Sequence, residues 1–461
     1  MRLTVAEIVQ VTGGRVVDPL GDGRRAAVTG ISTDTRTLRP GDLFVALKGP
    51  RADGAEFIPE AFRRGAAAAL AGRVPGLPPG PVVVVTDPLA ALGALARFYR
   101  RTLEVTVIGV TGSVGKTSTA AMSAAVLESA FTVARTRDDW NAEIGVPLAL
   151  LGLTPRHQAA VIEMAMRGLG QIALLVEMAQ PQIGVVTNVG ETHLELLGSR
   201  ENIARAKEEL VAGLPSGGTA ILNRDDPLVA GMRPPAGVRI LFYGLGPSAE
   251  IRAGEIVHEP AGVRFLLVTG GGMEEVRLRT WGRHNVYNAL AAAAVGVAMG
   301  LPVGEIARGL GRYVPPKMRL QPVRAGDLLI VNDAYNASPA SMEAAFEVLE
   351  FVGGGRRTVA VLGEMKELGS CSAQLHRDVG AALARRRIDL LVAVAEGGAW
   401  IAEGAAAGGM LPEAIVHLPS VEAAVERLPG LLRSGDVVLV KGSRALAMER
   451  IVEALVASRG S

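Results

Sequence analysis

Cysteine and aromatic residues are scarce in this chain, and neither sign of charge prevails. Its 461 residues include a single cysteine, Cys371, which excludes an internal disulfide framework and any metal site built from several cysteines. Aromatic residues make up only 4%, too few to expect stacking on single-stranded nucleic acid. A formal net charge of +2 gives no basic surface for nucleic acid or an anionic membrane. We therefore expect a protein of the reducing cytoplasm without nucleic-acid partners.

Long uncharged apolar runs are absent as well. The Ala-rich stretch at 285–300 is short and has polar ends, so we expect no segment that spans a bilayer. Residues 1–14 carry Arg2 and Glu7 in an amphipathic pattern without an apolar centre, so we expect no signal peptide. Hydrophobic residues at 49% and charged residues at 20% instead predict a folded globular protein, and the length predicts two to four domains.

The clearest motif is a glycine-rich turn between an apolar, β-branched run and a series of helix formers that begins at Lys116. This order predicts a strand, a phosphate loop and a helix, in which backbone N–H groups and the helix N-terminus bind phosphate oxygens. Lys116 would reach the outer phosphates, and the Thr117 hydroxyl would bind Mg²⁺. The common pattern has a further glycine where this chain has Val110, so the match is to a shorter form at 111–117, Thr-Gly-Ser-Val-Gly-Lys-Thr. The alternative is a glycine-rich turn with a chance Lys-Thr pair.

Two later apolar strands, predicted at 159–163 and 183–188, lead into side chains that bind metals. Glu163 ends the first strand, at the edge where ligands bind in open α/β sheets, and is the expected Mg²⁺ partner of Thr117. His193 follows the second strand in a short loop. The alternative for Glu163 is a surface carboxylate at a strand edge.

A helix predicted at 199–214 carries a lysine within its apolar stripe. Lys207 lies four residues after Ile203 and three before Leu210, which both belong to that stripe. Burial would lower the pKa of this amine, and the neutral amine could react with CO₂ to give a carbamate. A structural lysine that extends its charge to solvent is the alternative.

The first hundred residues predict a smaller α/β unit of alternating strands and helices. The hydroxyl-rich cluster at 31–36 contains Asp34 and Arg36 and by itself indicates a solvated turn. The predicted elements are strands at 41–47 and 81–86 and helices at 56–64 and 88–100, the last with proline at its start.

Strands with glycine-rich turns at 250–280 predict an antiparallel insertion, after which residues 282–289 open an Ala-rich helix. Asn285 and Asn288 are three residues apart and face one way, so their amides could contact a nucleotide base. The alternative for Asn285 is a helix N-cap.

Tandem prolines in the segment 314–319 predict an interdomain linker, followed by a third α/β unit. Its predicted strands are at 328–333, 358–362, 390–395 and 437–440. Polar residues follow these strand ends: Asn332, Asp333, Tyr335, Asn336, Glu364, Lys441, Ser443 and Arg444. The predicted fold class is therefore α/β with three domains at 1–102, 103–315 and 316–461, the central one a mostly parallel sheet with a small antiparallel insertion.

Taken together, these motifs resemble the Mur ligases of peptidoglycan assembly over essentially the whole chain. The general family features are at 111–117, at 187–193 (Thr-Asn-Val-Gly-Glu-Thr-His), at Ala206-Lys207 and at 282–288 (Gly-Arg-His-Asn-Val-Tyr-Asn). The resemblance implies a Rossmann-like third domain that closes on ATP and binds the acceptor, and an N-terminal domain that binds a UDP-substrate.

Further motifs distinguish members of the family. Residues 163–168, 333–339, 361–369 and 441–444 resemble the member that adds D-alanyl-D-alanine to UDP-N-acetylmuramoyl-tripeptide. The member that adds the third amino acid usually has an Asp-Tyr-Ala-His-type segment where this chain has Asp-Ala-Tyr-Asn. It also has Lys-Gly-His-Glu where this chain has Lys-Gly-Ser-Arg.

The resemblance assigns a role to each matched residue. It implies catalytic roles for Lys116, Glu163, His193 and Lys207. It implies two Mg²⁺ ions, held by Thr117, Glu163, His193 and a carbamylated Lys207; His193 acting as a base is the alternative. ATP contacts are implied for Thr111, Gly112, Ser113, Val114, Gly115, Lys116, Thr117, Ser118, Asn285, Asn288, Arg319, Asp333, Tyr335 and Asn336. Substrate contacts are implied for Ser32, Asp34, Thr35, Arg36 and Asn141, although Ala142 stands where the family commonly has a second asparagine.

The implied reaction is ATP-dependent ligation through an acyl phosphate, in the cytoplasm and by a monomer, as a step of cell wall biogenesis. One alternative is a relative with another acceptor, such as the third-residue ligase or a folate polyglutamate ligase. Another is a phosphate-loop ATPase that forms no bond. No motif indicates whether the third peptide residue is lysine or diaminopimelate.

Overall fold

The computed structural model describes residues 1–19, 21, 23–137 and 140–459, whose strands form three large sheets and a small two-stranded one. The small sheet pairs β1 (Leu3–Thr4) with β3 (Ala27–Val28). None of the helices in these described ranges is long and apolar enough to cross a membrane.

The first large sheet has the strand order β2-β7-β6-β5-β4, and only β2 runs antiparallel to its neighbour. Helix α3 starts at Pro88 because the Asp87 carboxylate accepts hydrogen bonds from the N–H groups of Leu89 and Ala90. The strands are β2 (Arg15–Val17), β4 (Gly30–Ser32), β5 (Asp42–Ala46), β6 (Ala68–Ala71) and β7 (Val82–Val84). The helices are α1 (Val5–Thr12), α2 (Ile58–Arg63) and α3 (Pro88–Arg101).

The central sheet has the order β16-β15-β14-β13-β12-β11-β8-β10-β9 and is parallel from β9 to β14. The antiparallel strands predicted at 250–280 are confirmed, and they extend this same sheet. The first strands are β8 (Thr106–Thr111), β9 (Val133–Arg135), β10 (Ala159–Glu163), β11 (Ile183–Val186) and β12 (Thr219–Asn223). The others are β13 (Arg239–Gly244), β14 (Ile251–Glu259), β15 (Gly262–Thr269) and β16 (Gly272–Leu278).

Eight helices, counted over the described residues, accompany the central sheet. They are α4 (Lys116–Leu127), α5 (Gly145–Leu151), α6 (Gln171–Ala179), α7 (Leu194–Leu197), α8 (Arg200–Ala212), α9 (Pro227–Ala230), α10 (Arg283–Ala298) and α11 (Val303–Gly311). Strand β8 lies between β10 and β11, so the chain leaves it toward one side of the sheet and later returns on the other. The phosphate loop at the end of β8 therefore occupies the position where open α/β sheets bind ligands.

The third sheet has the order β17-β18-β22-β19-β20-β21, parallel except for its edge strand β17. Its strands are β17 (Gln321–Ala325), β18 (Leu328–Asp333), β19 (Thr358–Gly363), β20 (Leu390–Val394), β21 (Ile415–Leu418) and β22 (Val437–Lys441). Its helices are α12 (Pro339–Gly353), α13 (Ser372–Ala384), α14 (Glu396–Ala407), α15 (Val421–Leu431) and α16 (Glu449–Arg459).

The first sheet is joined to the central one by a continuous apolar core. Tyr99 of α3 donates a hydrogen bond from its hydroxyl to the Leu153 carbonyl across 2.8 Å. The buried guanidinium of Arg100 donates to three backbone carbonyls, including that of Ala179. Burial lowers the pKa of Arg100, and the carbonyls satisfy its donors instead of a counter-ion. This junction fixes α3 against the central part of the chain.

Candidate active site

A cavity of about 1100 Å³ lies between the central sheet and the third sheet. Most of the predicted site residues line it. From the central part these are Ser113, Val114, Gly115, Lys116, Thr117, Ser118, Asn141, Glu163, His193, Asn285 and Asn288. From the third part they are Arg319, Asp333, Tyr335 and Asn336. Thr111, Gly112 and Lys207 are not among the residues that line the cavity, and neither is the cluster at 31–36.

The phosphate loop is held by the segment that follows β11. Asn188 accepts a hydrogen bond from the Val114 N–H and donates one to the Val114 carbonyl, each across 2.9 Å. The Thr187 hydroxyl donates to the same carbonyl across 2.7 Å. Gly112 has φ +148°, and a Cβ there would lie 1.8 Å from the Thr187 hydroxyl oxygen. A glycine is therefore required where the loop passes this strand end.

Lys116 folds over the loop that precedes it. Its ammonium donates hydrogen bonds to the carbonyls of Gly112, across 2.8 Å, and Ser113, across 3.2 Å. Burial lowers the pKa of Lys116, Glu163 acts in the opposite direction, and the cation of Arg319 lowers it further. A cation of this kind, held among backbone dipoles, is suited to contact phosphate oxygens.

Glu163 is a buried carboxylate, not the surface carboxylate of the alternative prediction. Its Oε1 accepts a hydrogen bond from Asn141 Nδ2 across 2.9 Å, and its backbone N–H donates to the Thr136 hydroxyl across 3.1 Å. Asn141 thus orients the carboxylate from the loop that carries Ala142. A buried carboxylate close to Lys116 and Thr117 is a suitable oxygen ligand for Mg²⁺.

Lys207 is 2% exposed on α8, and Ile203 and Leu210 of its predicted stripe are buried beside it. The alternative of a lysine that reaches solvent is therefore wrong. Burial and the nearby cation of Lys116 place its pKa well below the ordinary value. Its amine has no hydrogen bond or ion pair with any residue in the part of the chain that the structure describes. The neutral amine is consequently easier to reach than in an exposed lysine.

His193 precedes α7 and has the left-handed backbone conformation, with φ +65°. Its Nδ1 lies 2.7 Å from Oε2 of Glu367, a residue of the third part of the chain. Burial lowers the pKa of His193, Glu367 opposes this shift, and the cations of Lys116 and Lys207 lower the pKa further. The imidazole therefore lies near both lysines of the predicted site.

Asn285 and Asn288 are buried near the start of α10 and hydrogen-bonded to each other across 3.0 Å. Asn288 also accepts from the Thr119 hydroxyl of α4 across 3.2 Å. The helix N-cap is Gly282, so the alternative of Asn285 as an N-cap is wrong. The two amides join α10 to the helix of the phosphate loop while lining the cavity.

The third part of the chain brings Arg319 to the phosphate loop. Its Nη2 donates a hydrogen bond to the Thr117 hydroxyl across 2.8 Å, and its guanidinium lies 4.1 Å from the centre of the Tyr335 ring. Lys441 donates to Asp333 Oδ2 across 2.6 Å and to the Asn336 carbonyl across 2.9 Å. These buried contacts fix the loop that follows β18.

The cluster at 31–36 follows β4 and is separate from the cavity. The Ser32 hydroxyl donates to the Asp34 carbonyl across 2.8 Å and accepts from the Asp34 N–H across 3.1 Å. Hydrogen bonds from Arg36 lower the pKa of Asp34, and the Arg36 side chain is 83% exposed. The exposed guanidinium is paired with the Asp34 carboxylate through Nε and Nη2, and Thr35 lies between these two residues.

His284 and Glu367 also line the cavity, although neither was among the predicted site residues. Burial lowers the pKa of His284 to about 4, with Asp333 and Lys441 among the charges that act on it. Its place within the motif at 282–288 was a usable signal. Glu367 lies within the motif at 361–369, but only folding brings it to His193.

The donor set at the cavity agrees with Mg²⁺ bound together with phosphates. The described residues contain no group of three or more His, Cys, Asp or Glu side chains that could hold a metal by themselves. Mg²⁺ usually takes one or two carboxylates and completes its ligands with water and substrate phosphates. Thr117 and Glu163 meet that requirement beside the phosphate loop.

Three family models match the chain in order. They are the Mur ligase family catalytic domain at 27–100, the Mur ligase middle domain at 110–296, and the Mur ligase glutamate ligase domain at 318–444. The UDP-N-acetylmuramoyl-tripeptide–D-alanyl-D-alanine ligase of Bacillus subtilis is 36% identical over 462 residues, covering 99% of each chain. The enzyme of the same name from Escherichia coli is 36% identical, covering 98% of each chain.

Solved structures agree with these relatives. MurF from Acinetobacter baumannii superposes with a TM-score of 0.90 at 32% identity and covers 99% of both chains. MurF ligase from Thermotoga maritima, solved in complex with ADP, gives a TM-score of 0.83 at 29% identity and covers 94% of this chain.

Proposed function

This chain belongs to the Mur ligase family, and we propose that it joins D-alanyl-D-alanine to UDP-N-acetylmuramoyl-tripeptide in an ATP-dependent reaction of peptidoglycan synthesis. The observation that carries the proposal is a cavity lined by both the phosphate loop and the strand-end residues of the third part. An enzyme that must bring a nucleotide, a donor and an acceptor together needs such a composite site.

The chemical problem is to join a carboxylate to an amine in water. The donor carboxylate attacks the γ-phosphorus of ATP, which forms an acyl phosphate and releases ADP. The acceptor amine then attacks the acyl carbon, and the tetrahedral intermediate collapses with loss of phosphate and a proton. Lys116, the loop N–H groups and Arg319 would neutralise the repulsion between the two anions in the first step. Closure of the third part would keep water from the acyl phosphate.

Two divalent cations would supply further charge neutralisation when bound. Thr117 and Glu163 would hold the first, while His193 and Lys207 would serve the second, with Glu163 available to both. A neutral Lys207 amine can react with CO₂ to give a carbamate and a proton, which converts the buried amine into an anionic oxygen ligand. The support is the burial of Lys207 and the absence of a hydrogen-bonded partner among the described residues.

The remaining proposed roles are divided among three domains, with boundaries between residues 102 and 103 and between residues 315 and 316. The exposed Arg36, with Ser32, Asp34 and Thr35, would bind the uridine-nucleotide end of the donor, and Asn141 would contribute near Glu163. Asn285 and Asn288 would contact adenine, and Asp333, Tyr335 and Asn336 would close on the nucleotide. Their positions on the cavity support the last two assignments.

The test is phosphate release with each substrate omitted in turn, using donors that end in lysine and in diaminopimelate. Turnover that requires both a UDP-N-acetylmuramoyl-tripeptide and D-alanyl-D-alanine supports the ligase. Equal turnover with neither present would instead indicate an ATPase that forms no bond. Turnover with another amino acid or with a folate in place of these substrates would indicate a relative with a different acceptor.

A further inference from the structure

His193 and Glu367 meet across the boundary between the central and third parts of the chain. Nδ1 of the imidazole and Oε2 of the carboxylate are 2.7 Å apart, although His193 precedes α7 in the central part and Glu367 follows β19 of the third sheet. Both have the left-handed backbone conformation, each with φ +65°. Non-glycine residues adopt this conformation at a free-energy cost, and such strain clusters at functional sites.

Neighbouring contacts hold the loop of His193 and the loop of Glu367 in fixed positions relative to each other. Gly369 fits so closely that a Cβ there would lie 3.2 Å from the Glu195 Cα atom, two residues beyond His193. The Arg167 guanidinium lies 3.8 Å from the other Glu367 oxygen. The Lys366 N–H donates to the Ser443 hydroxyl across 2.8 Å, which fixes the loop of Glu367 to the third sheet. Glu367 is therefore placed by the third part and directed at the central part.

A carboxylate at Nδ1 determines what the imidazole can do. Among the described residues Nδ1 has no hydrogen bond of acceptable angle, so the two groups are close but not yet aligned. Once aligned, such a carboxylate would hold the proton on Nδ1, orient the ring, and leave the Nε2 lone pair for a cation or a proton. Histidines that bind metals almost always donate their other ring N–H to a carboxylate, carbonyl or water, and loss of that partner weakens metal binding. In this chain the carboxylate comes from a loop of the third part.

We propose that Glu367 is a positioning residue that orients His193 when the third part of the chain closes on the central part. The ring is then in place for the second cation only when the part that carries the acceptor has closed. Binding of that cation and closure thus become coupled. This inference rests on the proposed function, because it takes His193 as the residue that serves the second cation.

The test compares Glu367→Ala, which removes the acceptor, with Glu367→Gln, which keeps a neutral amide oxygen within reach of Nδ1–H. Glu195→Ala is the matched control, since it removes an exposed carboxylate of the same loop contact that is not paired with His193. Mn²⁺ binding is measured by electron paramagnetic resonance in the presence of a non-hydrolysable ATP analogue and the UDP-tripeptide. Thermal unfolding of each variant checks the fold.

We expect Mn²⁺ affinity at the second site to fall about 10-fold in Glu367→Ala and less in Glu367→Gln, with kcat reduced in the same order. The KM for ATP should not change, because the ion pairs of Glu367 among the described residues are with Arg167 and His193 and not with the phosphate loop. Unchanged Mn²⁺ binding in Glu367→Ala would overturn the proposal. An equal loss in Glu195→Ala would also overturn it, since a general effect of charge at the contact would then suffice.

The same preparations distinguish this proposal from the proposed function. If the wild-type protein forms no product from UDP-N-acetylmuramoyl-tripeptide and D-alanyl-D-alanine, the proposed function fails. The Mn²⁺ comparison among the variants still reports whether Glu367 positions a cation-binding His193. If ligation proceeds and the variants bind Mn²⁺ like the wild type, only the role of Glu367 is refuted.

Discussion

Arg319 Nη2 donates a hydrogen bond to the Thr117 hydroxyl across 2.8 Å, although the residues are 202 positions apart in the chain. The hydroxyl proposed to bind Mg²⁺ is therefore in contact with a cation from the third part of the chain. A bound metal and nucleotide would displace the guanidinium from Thr117 toward the phosphate oxygens. Tyr335 would guide that movement, because its ring already packs against the guanidinium.

Replacement of Arg319 by lysine should lower kcat/KM for ATP about 10- to 100-fold. Lysine keeps the charge but loses the planar donors that bind phosphate and stack on Tyr335. The measurement is steady-state phosphate release with varied ATP. Arg324→Lys is the control, because Arg324 is exposed on the adjacent edge strand β17. Equal effects of the two substitutions would contradict a specific role for Arg319.

Gly115→Ala should destabilise the protein by more than about 2 kcal/mol and abolish nucleotide binding. Gly115 has φ +86°, and a Cβ there would lie 2.3 Å from Oδ1 of Asn288, which is already hydrogen-bonded to Thr119. Gly217→Ala is the control, since it has a similar φ of +81° with no atom within 4 Å of its Cβ. Gly217→Ala should lower the free energy of unfolding by only about 1–2 kcal/mol, because only the left-handed backbone conformation is unfavourable for alanine there. Urea unfolding measures the difference between the two variants. An equal loss of stability in both would show that the Asn288 side chain moves aside for the new methyl group.

Local patterns in the sequence predicted most of the framework. The helix predicted at 88–100 is observed at Pro88–Arg101, because an aspartate cap and a proline define its start within a few residues. The strand at 159–163 is observed at Ala159–Glu163. The position of Lys207 within an apolar stripe correctly predicted its burial, since a helix fixes which residues share a face.

Features that depend on long-range contacts escaped the sequence analysis. The edge strand Ile415–Leu418 is only four residues long and is interrupted by the exposed His417, so it lacks the continuous apolar run of the other predicted strands. The alternative of Asn285 as an N-cap rested on the preference of asparagine for that position, but Gly282 is the N-cap and the amide is buried. The pairing of Glu367 with His193 follows from how two sheets meet, which no local pattern encodes.

Proton uptake by His284 should make the folded protein less stable as the pH falls from 6.5 toward 4. Burial holds the folded-state pKa at about 4, against an ordinary value of 6.5, so the unfolded chain binds the proton first. The loss is complete once the pH reaches the folded-state pKa. Its upper limit is roughly 3 kcal/mol, reduced in practice because the ring lines a cavity that water can enter. Asp333, Lys441 and Glu347 are the charges that act on it.

The check is urea unfolding of the wild type and His284→Gln at pH 7 and pH 4.5. The variant should lose less stability between the two conditions, because glutamine takes up no proton. His417→Gln is the control, since that imidazole is exposed on β21. A pH dependence in His284→Gln equal to that of the wild type would assign the acid sensitivity to other groups.

Lys207→Met should stabilise the protein without ligands by about 1 kcal/mol and abolish ligation. Methionine fills similar space without burying an amine that has no hydrogen-bond partner in the described structure. Activity should disappear because the anionic ligand that a carbamate would provide is lost. Urea unfolding and product formation, measured on the same sample, test both effects. Lys48→Met, at an exposed lysine, should change neither.

The carbamate itself can be detected with ¹³C-labelled bicarbonate. A carbamate carbon resonance should be present in the wild type and in Lys48→Met and absent from Lys207→Met. Lys207→Ala should be inactive, and excess bicarbonate should partly restore it, because the smaller side chain leaves room for a free anion beside His193. Full activity of Lys207→Ala without bicarbonate would refute the carbamate. Lack of the resonance in an active wild type would instead assign the second cation to Glu163 and His193 alone.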